Sequence, residues 1–257
     1  MTAREPLLLL HGVTMSGRAW ADVTPLLARH HEVMAPTAAG HRGGPQLVGK
    51  ASIGVLTEQA EDLLDSRGLD RVHIAGNSLG GWVAIELARR GRALTVCALS
   101  PAGFWTPGTS DQVEAIKKIR RARRLAQIAR PVAPAMLRFS LVRRQTMRDV
   151  AERGDRLTPG QAVGAMRDLL DCTGIDDLLA TRDSVAPLSP LPCPITLAWG
   201  ANDKIFPPEI NGVTARQRLP HAAYVLLPDV GHVPMIDNPR LTADTILTTT
   251  KARTFDS

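Results

Sequence analysis

Residues 72–82 of the chain read VHIAGNSLGGW, and the prediction of the fold starts from this segment. A short apolar run leads into Gly76 and an apolar, helix-forming run follows Gly81, which predicts a strand, a sharp turn and a helix. Glycines at positions 76 and 80 remove the Cβ atoms that would collide at such a reversal, and they permit a strained backbone at Ser78. The pentapeptide alone is also compatible with a plain turn. In this strand–turn–helix context it matches the Gly-x-Ser-x-Gly nucleophile elbow, which exposes the serine hydroxyl above the sheet.

Short apolar segments alternate with helical ones on both sides of this stretch. The strands are predicted at 7–10, 32–35, 72–75, 94–99, 195–199 and 223–227. Several are continuous apolar runs, which are typical of parallel strands buried on both faces. The alternation predicts an α/β fold, with a mostly parallel sheet of about six strands and helices on both faces.

The pattern changes between residues 104 and 190, where no strand is predicted. Helical spacing occurs there at 111–130, about 132–153, 159–172 and 175–182. We therefore predict a sheet domain made of residues 1–103 and 191–257, interrupted by a helical cap, or lid, of residues 104–190.

Composition narrows the class of protein. The chain has 257 residues, 44% hydrophobic and 22% charged, which is ordinary for a globular protein. No run approaches the roughly 18 apolar residues of a membrane span, so a cytoplasmic location is expected. The three cysteines have no Cys-x-x-Cys spacing, and the glycine-rich loop 40–45 lacks the Lys-Ser/Thr ending of a phosphate-binding loop. We expect no metal and no cofactor.

Positive charge is concentrated in one segment of a chain whose net charge is +6. Residues 113–148 contain eleven Lys or Arg and a single acid, Glu114. Such a segment could attract an anionic substrate or make weak contact with an anionic lipid surface. The alternative is a solvated helix face. No nucleic-acid partner is predicted.

A serine hydroxyl is a weak nucleophile, so Ser78 needs a base, and the base needs an orienting acid. The predicted strand 195–199 leads into Asp203, and the predicted strand 223–227 leads into His232. Both residues follow the carboxyl ends of strands and therefore lie at the same sheet edge as the elbow. Their order is Ser, Asp, His, as in other chains with this elbow.

Two rival interpretations of these residues stay open. Asp203 could instead cap the segment 207–209 that follows it. Asp229 is a rival acid, although it lies only three residues before His232 and is poorly placed to reach around the imidazole.

Four motifs in this order carry a family resemblance. They are Leu10-His11-Gly12, Gly76 to Gly81, Trp199 to Asp203, and Gly231 to Pro234 with Asp237-Asn238-Pro239. Together they make the chain similar to the α/β-hydrolase superfamily from Leu7 to the C-terminal helix. The resemblance implies that Ser78 is the nucleophile, Asp203 the acid and His232 the base.

The resemblance also implies the surroundings of the serine. The backbone amides of Val13 and Leu79 would form an oxyanion hole, and a helix N-terminus such as that at Leu79 favours an anion on physical grounds as well. His11 is expected to hold the oxyanion loop. The candidate substrate-lining residues are Phe104 and Trp105, at the start of the predicted cap, and Val233.

Two departures from the family pattern affect these expectations. Many members have two more strands before the His-Gly strand, whereas only residues 1–6 precede it here, hence the six-stranded sheet. The loop 37–44 also differs from the Asp and Gly-x-Gly-x-Ser that many members carry, so substrate choice is not inherited from the family.

The leading hypothesis is a serine hydrolase that acts on an ester, thioester or lactone of a small to medium carboxylic acid through an acyl-enzyme on Ser78. Carbon–carbon bond hydrolysis of the meta-cleavage product type is an alternative, although the usual Gly-Pro-Gly after His-Gly is replaced by residues 13–16. A receptor-like ligand-binding protein and a membrane-surface lipase that uses the basic segment also stay open. Epoxide hydrolysis and dehalogenation are disfavoured, because relatives with those activities have aspartate in place of the elbow serine.

Overall fold

The sheet has six strands, and all neighbouring strands run parallel. The structure is a computed structural model that describes residues 4–252, apart from the side chains of Ser110 and Asp111; residues 1–3 and 253–257 of the predicted sheet domain lie outside it. The strands are β1 (Pro6–Leu10), β2 (Glu32–Met34), β3 (Val72–Asn77), β4 (Ala93–Leu99), β5 (Ile195–Gly200) and β6 (Ala223–Leu227). Their order is β2-β1-β3-β4-β5-β6, and the predicted fold class is confirmed.

Helices cover both faces of the sheet. They are α1 (Thr24–Leu27), α2 (Ile53–Asp65), α3 (Leu79–Arg89), α4 (Ser110–Ala129), α5 (Ala133–Met136), α6 (Ser140–Met147), α7 (Pro159–Leu170), α8 (Ile175–Leu179), α9 (Val213–Arg218), α10 (Pro234–Asp237) and α11 (Pro239–Thr250). Within residues 4–252, no helix is long and apolar enough to cross a bilayer.

Alternate residues of each strand enter two separate hydrophobic cores, because successive side chains of a strand point to opposite faces. Leu8 of β1 belongs to the core that includes α2 and α3. Leu7 and Leu9 belong to the core that includes α1 and α11. Burial on both faces explains why β1 is a continuous apolar run in the sequence.

The described chain between β4 and β5 contains helices α4 to α8 and no strand, and we refer to residues 104–190 as the cap segment. Asp168 of α7 joins this segment to the loops that follow β1 and β2. Its buried carboxylate accepts hydrogen bonds from Ser16 Oγ at 2.7 Å, from Arg18 at 3.0 Å and from Arg42 at 2.6 Å. Charge-assisted bonds of this kind are strong. The division of the chain into a sheet domain and a separate lid stays a prediction.

The predicted continuous helix at about 132–153 is wrong. It is two short helices, α5 and α6, separated at Phe139, whose backbone is extended (φ −83°, ψ 127°). The buried guanidinium of Arg143 donates to the carbonyl oxygens of Leu137 at 2.9 Å and Arg138 at 2.8 Å. These bonds satisfy carbonyl groups that an interrupted helix leaves without partners.

Two buried histidines join the loops after β1 and β2. His11 Nε2 accepts a hydrogen bond from the Ala38 backbone amide at 3.0 Å, so Nδ1 carries the proton and donates to the Gly12 carbonyl at 2.8 Å. The ring centroids of His11 and His41 are 4.9 Å apart. Burial, together with the nearby His41, lowers the pKa of His11 from 6.5 to about 4. His11 is therefore neutral at pH 7.

This lowered pKa predicts a loss of stability in mild acid. Below pH 6.5 the unfolded chain takes up a proton at residue 11 and the folded chain does not. The neutral His11 therefore contributes its full stabilisation of the folded chain above pH 6.5, and this contribution is lost as the pH falls towards 4. The contribution lost by about pH 5 is about 2 kcal/mol. Urea unfolding at about pH 7.5 and about pH 5 should show a smaller pH-dependent change in His11→Gln than in the wild type.

The matched control is His221→Gln, because His221 is exposed. It should retain the full pH dependence of the wild type. Equal pH dependence in the wild type and His11→Gln would contradict the assignment of a neutral, buried His11.

Candidate active site

The chain reverses from β3 into α3 at Ser78, which has φ 55° and ψ −116°, a conformation that is rare for residues other than glycine. The Ser78 amide donates to the Leu99 carbonyl at 3.0 Å, and its own carbonyl accepts from the Ala102 amide at 2.9 Å. A Cβ added at Gly76 would overlap the Gly80 carbonyl. The close approach of strand and helix that was predicted from the two glycines is present, and β4 with the loop after it holds the strained serine in place.

Asp203 and His232 are brought together at the carboxyl ends of β5 and β6. His232 Nδ1 lies 2.8 Å from Asp203 Oδ2, and both side chains are almost completely buried. The other carboxylate oxygen of Asp203 accepts from the amides of Ile205 at 2.8 Å and Phe206 at 2.9 Å. Because the carboxylate only accepts, Nδ1 carries the proton of the neutral imidazole, and Nε2 is left as an acceptor.

The rival acid Asp229 is exposed and forms no hydrogen bond with His232. The bonds from Ile205 and Phe206 to Asp203 do resemble a local cap, so Asp203 serves both as a turn acceptor and as the partner of His232.

Asn77 connects the elbow to the histidine loop, a contact that sequence reasoning missed. Its side-chain amide donates to the His232 carbonyl at 2.8 Å and to the Leu99 carbonyl at 3.1 Å. Asp237 supports the same loop, since it accepts from the Gly231 amide at 2.7 Å. In the sequence, the only signal for this connecting role of Asn77 is the presence of an amide side chain within the elbow motif.

The hydroxyl of Ser78 makes no hydrogen bond within the described part of the chain. The His232 ring packs edge-on against Phe206, at 5.1 Å between centroids, and Phe206 lines the same cavity as Ser78. Catalytic hydrogen bonds are often long or misaligned in structures without substrate. The structure thus pairs Asp203 with His232, whereas the bond from Ser78 to His232 stays a prediction.

The two amides predicted to form an oxyanion hole lie beside the serine. Leu79 is the first residue of α3, and Val13 follows Gly12; both line the cavity at Ser78. A Cβ added at Gly12 would lie 3.3 Å from the Ser78 Cβ, which measures how closely this loop approaches. Neither amide donates to another described group, so both are available as donors.

The cavity at Ser78 has a volume of about 530 Å³, which includes space that is open to solvent. Its walls come mainly from the elbow, the loop after β1 and the cap segment. The lining residues are Val13, Ile53, Ser78, Leu79, Trp82, Ala102, Trp105, Gln112, Ala115, Ile116, Ile119, Leu178, Leu179, Thr181 and Phe206. The side chain of Gln112 accepts from the Gly108 amide and donates to the Thr181 carbonyl. The wall is therefore apolar around the serine.

Of the three candidate substrate-lining residues, Trp105 lines this cavity. Phe104 does not, because it lies in the core against Trp199, at 6.2 Å between ring centroids. Val233 does not line it either, since its side chain belongs to the core on the opposite face of the sheet. Among the described residues, no group of three His, Cys, Asp or Glu side chains could hold a metal ion.

A second cavity, of about 620 Å³ including space open to solvent, lies behind the loop after β1. Its lining includes His11, Ala60 and Val83. Leu79 lines both cavities.

Comparison with known proteins agrees with this geometry. The model of the alpha/beta hydrolase family matches residues 7–245. The chain is 31% identical to an epoxide hydrolase, EphH, of Mycobacterium tuberculosis over 73% of its length and 90% of that protein. It is 29% identical to the pimeloyl-[acyl-carrier protein] methyl ester esterase of Aromatoleum aromaticum over 92% and 94%.

Among solved structures, a thermophilic esterase from Thermogutta terrifontis superposes with a TM-score of 0.71. The identity is 23%, and the match covers 96% of this chain and 89% of that one. The sheet order, the strained elbow and a family match over nearly the whole length agree with one another, and the chain is therefore a hydrolase that belongs to the alpha/beta hydrolase family.

Proposed function

We propose that the chain is a serine hydrolase that cleaves an ester, thioester or lactone of a small to medium carboxylic acid through an acyl-enzyme on Ser78. The observation that carries this proposal is the buried hydrogen bond between Asp203 and His232, next to a serine held in a strained turn. Perturbed backbone and buried charged pairs concentrate at catalytic sites.

The proposed reaction begins when His232 Nε2 takes the proton of the Ser78 hydroxyl as Oγ attacks the substrate carbonyl carbon. Asp203 holds the Nδ1 proton and stabilises the imidazolium. The bond from the carbonyl carbon to the leaving group breaks, and Nε2 returns its proton to the leaving oxygen or sulfur. Water then attacks the acyl-enzyme with the same base, and the acid is released with Ser78 restored.

Charge develops on the carbonyl oxygen during both attacks. The amides of Leu79 and Val13 are suited to stabilise it, because both lie beside Ser78 and neither has another partner among the described residues. Loss of one such donor typically costs about 3 kcal/mol of transition-state stabilisation. The Leu79 amide also lies at the positive end of the α3 dipole.

The relatives include both an epoxide hydrolase and a methyl ester esterase. Ester hydrolysis fits Ser78 better. A serine that opened an epoxide would form an ether, which has no carbonyl carbon for water to attack, whereas a serine ester is hydrolysed readily. The chemistry of the side chain at position 78 therefore supports an acyl substrate.

Two assays distinguish this proposal from its alternatives. Turnover of a vinylogous 1,5-diketone without turnover of simple esters would favour carbon–carbon bond hydrolysis. Thermal stabilisation by ligands, with no covalent labelling of Ser78 by a fluorophosphonate, would favour ligand binding without turnover.

Removal of the nucleophile tests the central assignment. Ser78→Ala should lower kcat for p-nitrophenyl butyrate by at least about a thousandfold, because the acyl-enzyme cannot form. Circular dichroism should show an unchanged fold. Ser66→Ala, at the exposed end of α2, is the matched control and should retain full activity. Undiminished turnover in Ser78→Ala would overturn the assignment.

Two aspartates near His232 allow the acid to be tested with its own control. Asp203→Asn should lower kcat by about 10³- to 10⁴-fold, because an amide favours the wrong tautomer of His232. Asp229→Asn removes the same charge three residues from His232, and it should leave kcat unchanged because Asp229 is exposed. The reverse pattern would make Asp229 the acid.

The apolar cavity predicts discrimination against charged acyl groups. The p-nitrophenyl ester of pentanoate should have a kcat/KM at least about a hundredfold higher than the monosuccinyl ester of similar length, because the wall has no charged group to pair with the second carboxylate. Steady-state kinetics with both esters provide the measurement. Comparable values would mean that the acyl group lies outside this cavity.

A further inference from the structure

The second half of α4 and the helices after it expose an unusual concentration of large apolar side chains. Six of the eleven exposed large hydrophobic residues in the described chain lie within residues 125–141. We call these six the apolar patch: Leu125, Ile128, Val132, Met136, Phe139 and Leu141. Leu141 and Ile128 are 78% and 69% exposed, so they contribute nothing to the core. Contiguous exposed apolar residues mark interaction sites.

Arginines occur in the same segment as the apolar patch. We call six exposed arginines that form no ion pair the arginine ring: Arg120, Arg121, Arg124, Arg130, Arg138 and Arg144. None of them forms an ion pair with another described residue, whereas Lys117, Arg123 and Arg148 in the same segment are paired with acids. The positive charge of the arginine ring is therefore not neutralised by ion pairs within the described chain.

The two kinds of side chain are interleaved rather than segregated. Leu125 and Ile128 lie about one turn apart on α4, and Arg121 and Arg124 lie four residues before them, on the same face of the helix. Phe139 and Leu141 flank the start of α6. A flat partner that touches the arginines would therefore also touch the apolar side chains.

We propose that the apolar patch and the arginine ring dock on an anionic bilayer surface. The apolar side chains would enter the boundary between headgroups and acyl chains, and the guanidinium groups would bind lipid phosphates. Insertion of apolar side chains and attraction to anionic lipids are each weak, and stable binding to a membrane surface needs both together. The same chemistry extends the weak contact with anionic surfaces expected from residues 113–148.

Other partners fit the surface less well. A second copy of the chain that packed patch to patch would bring one arginine ring against another, which is unfavourable. Protein surfaces that bind single-stranded nucleic acids combine basic residues with aromatic side chains that stack on bases. The apolar patch is aliphatic except for Phe139, and aliphatic side chains suit acyl chains better than bases.

The position of the surface relates it to the cavity. The first half of α4 lines the cavity at Ser78 through Ala115, Ile116 and Ile119, and the second half carries the apolar patch. Docking would therefore bring the helix that covers the cavity into contact with the bilayer. The binding itself does not depend on the proposed function, because it can be measured without turnover.

Co-sedimentation with vesicles tests this inference. The full chain should bind vesicles of phosphatidylcholine and phosphatidylglycerol more strongly than vesicles of phosphatidylcholine alone, and added salt should weaken the binding. Arg121→Gln/Arg124→Gln/Arg130→Gln should lower the partition coefficient at least about tenfold. Ile128→Ser/Phe139→Ser/Leu141→Ser should lower it as well, with net charge unchanged.

The matched control is Arg29→Gln/Arg67→Gln/Arg240→Gln, which removes three exposed arginines outside the cap segment. It should retain binding. Equal binding to both kinds of vesicle, or equal loss in the control and the arginine-ring variant, would overturn the proposal. Two results obtained without vesicle binding would also overturn the proposal. One is a dimer that is lost in the apolar-patch variant, and the other is DNA binding that is lost in the arginine-ring variant.

Activity in solution separates this test from that of the proposed function. Neither triple variant changes a residue that lines the cavity at Ser78, so turnover of p-nitrophenyl butyrate without vesicles should match the wild type. Loss of vesicle binding with unchanged turnover supports the inference, whereas unchanged vesicle binding in both variants would contradict it.

Discussion

The fold depends on how closely β3 and α3 approach each other at the elbow. No side chain fits at Gly76, because its Cβ would overlap the Gly80 carbonyl, and none fits at Gly80, because its Cβ would overlap the Leu10 carbonyl. This crowding forces the reversal onto Ser78 and turns its backbone into a positive φ. The strain is offset by the hydrogen bonds that Ser78 donates to Leu99 of β4 and accepts from Ala102 just after that strand. The contact among the backbones of Gly76, Gly80 and Leu10 thus positions β3, α3 and β1 relative to one another.

The same crowding connects the elbow to the rest of the site. Asn77 precedes the strained serine, and its amide holds the carbonyl of His232, 155 residues away in the sequence. His232 in turn donates to Asp203, whose second oxygen is held by backbone amides. Each side chain in this series is fixed by a partner from a different strand end, so the geometry of the site follows from the order of strands in the sheet.

Most of the sheet and the order of the site residues could be predicted from the sequence. Strands such as β1 and β5 are short apolar runs that end at turn residues, and local pattern is enough to find them. The separation of α5 from α6 could not be found in this way, because it depends on the Arg143 guanidinium folding back onto two carbonyls. The positions of Phe104 and Val233 depend on which face of the sheet receives them. Tertiary packing decides such details, and a linear pattern does not contain it.

Leu79 combines two roles in one residue. Its backbone amide belongs to the elbow, and the residue lines both the cavity at Ser78 and the one behind the loop after β1. A smaller side chain there would enlarge the space in both cavities, while the backbone amide would stay at the start of α3. One position beside Ser78 therefore couples the volumes on the two sides of the elbow, and a substitution there changes both at once.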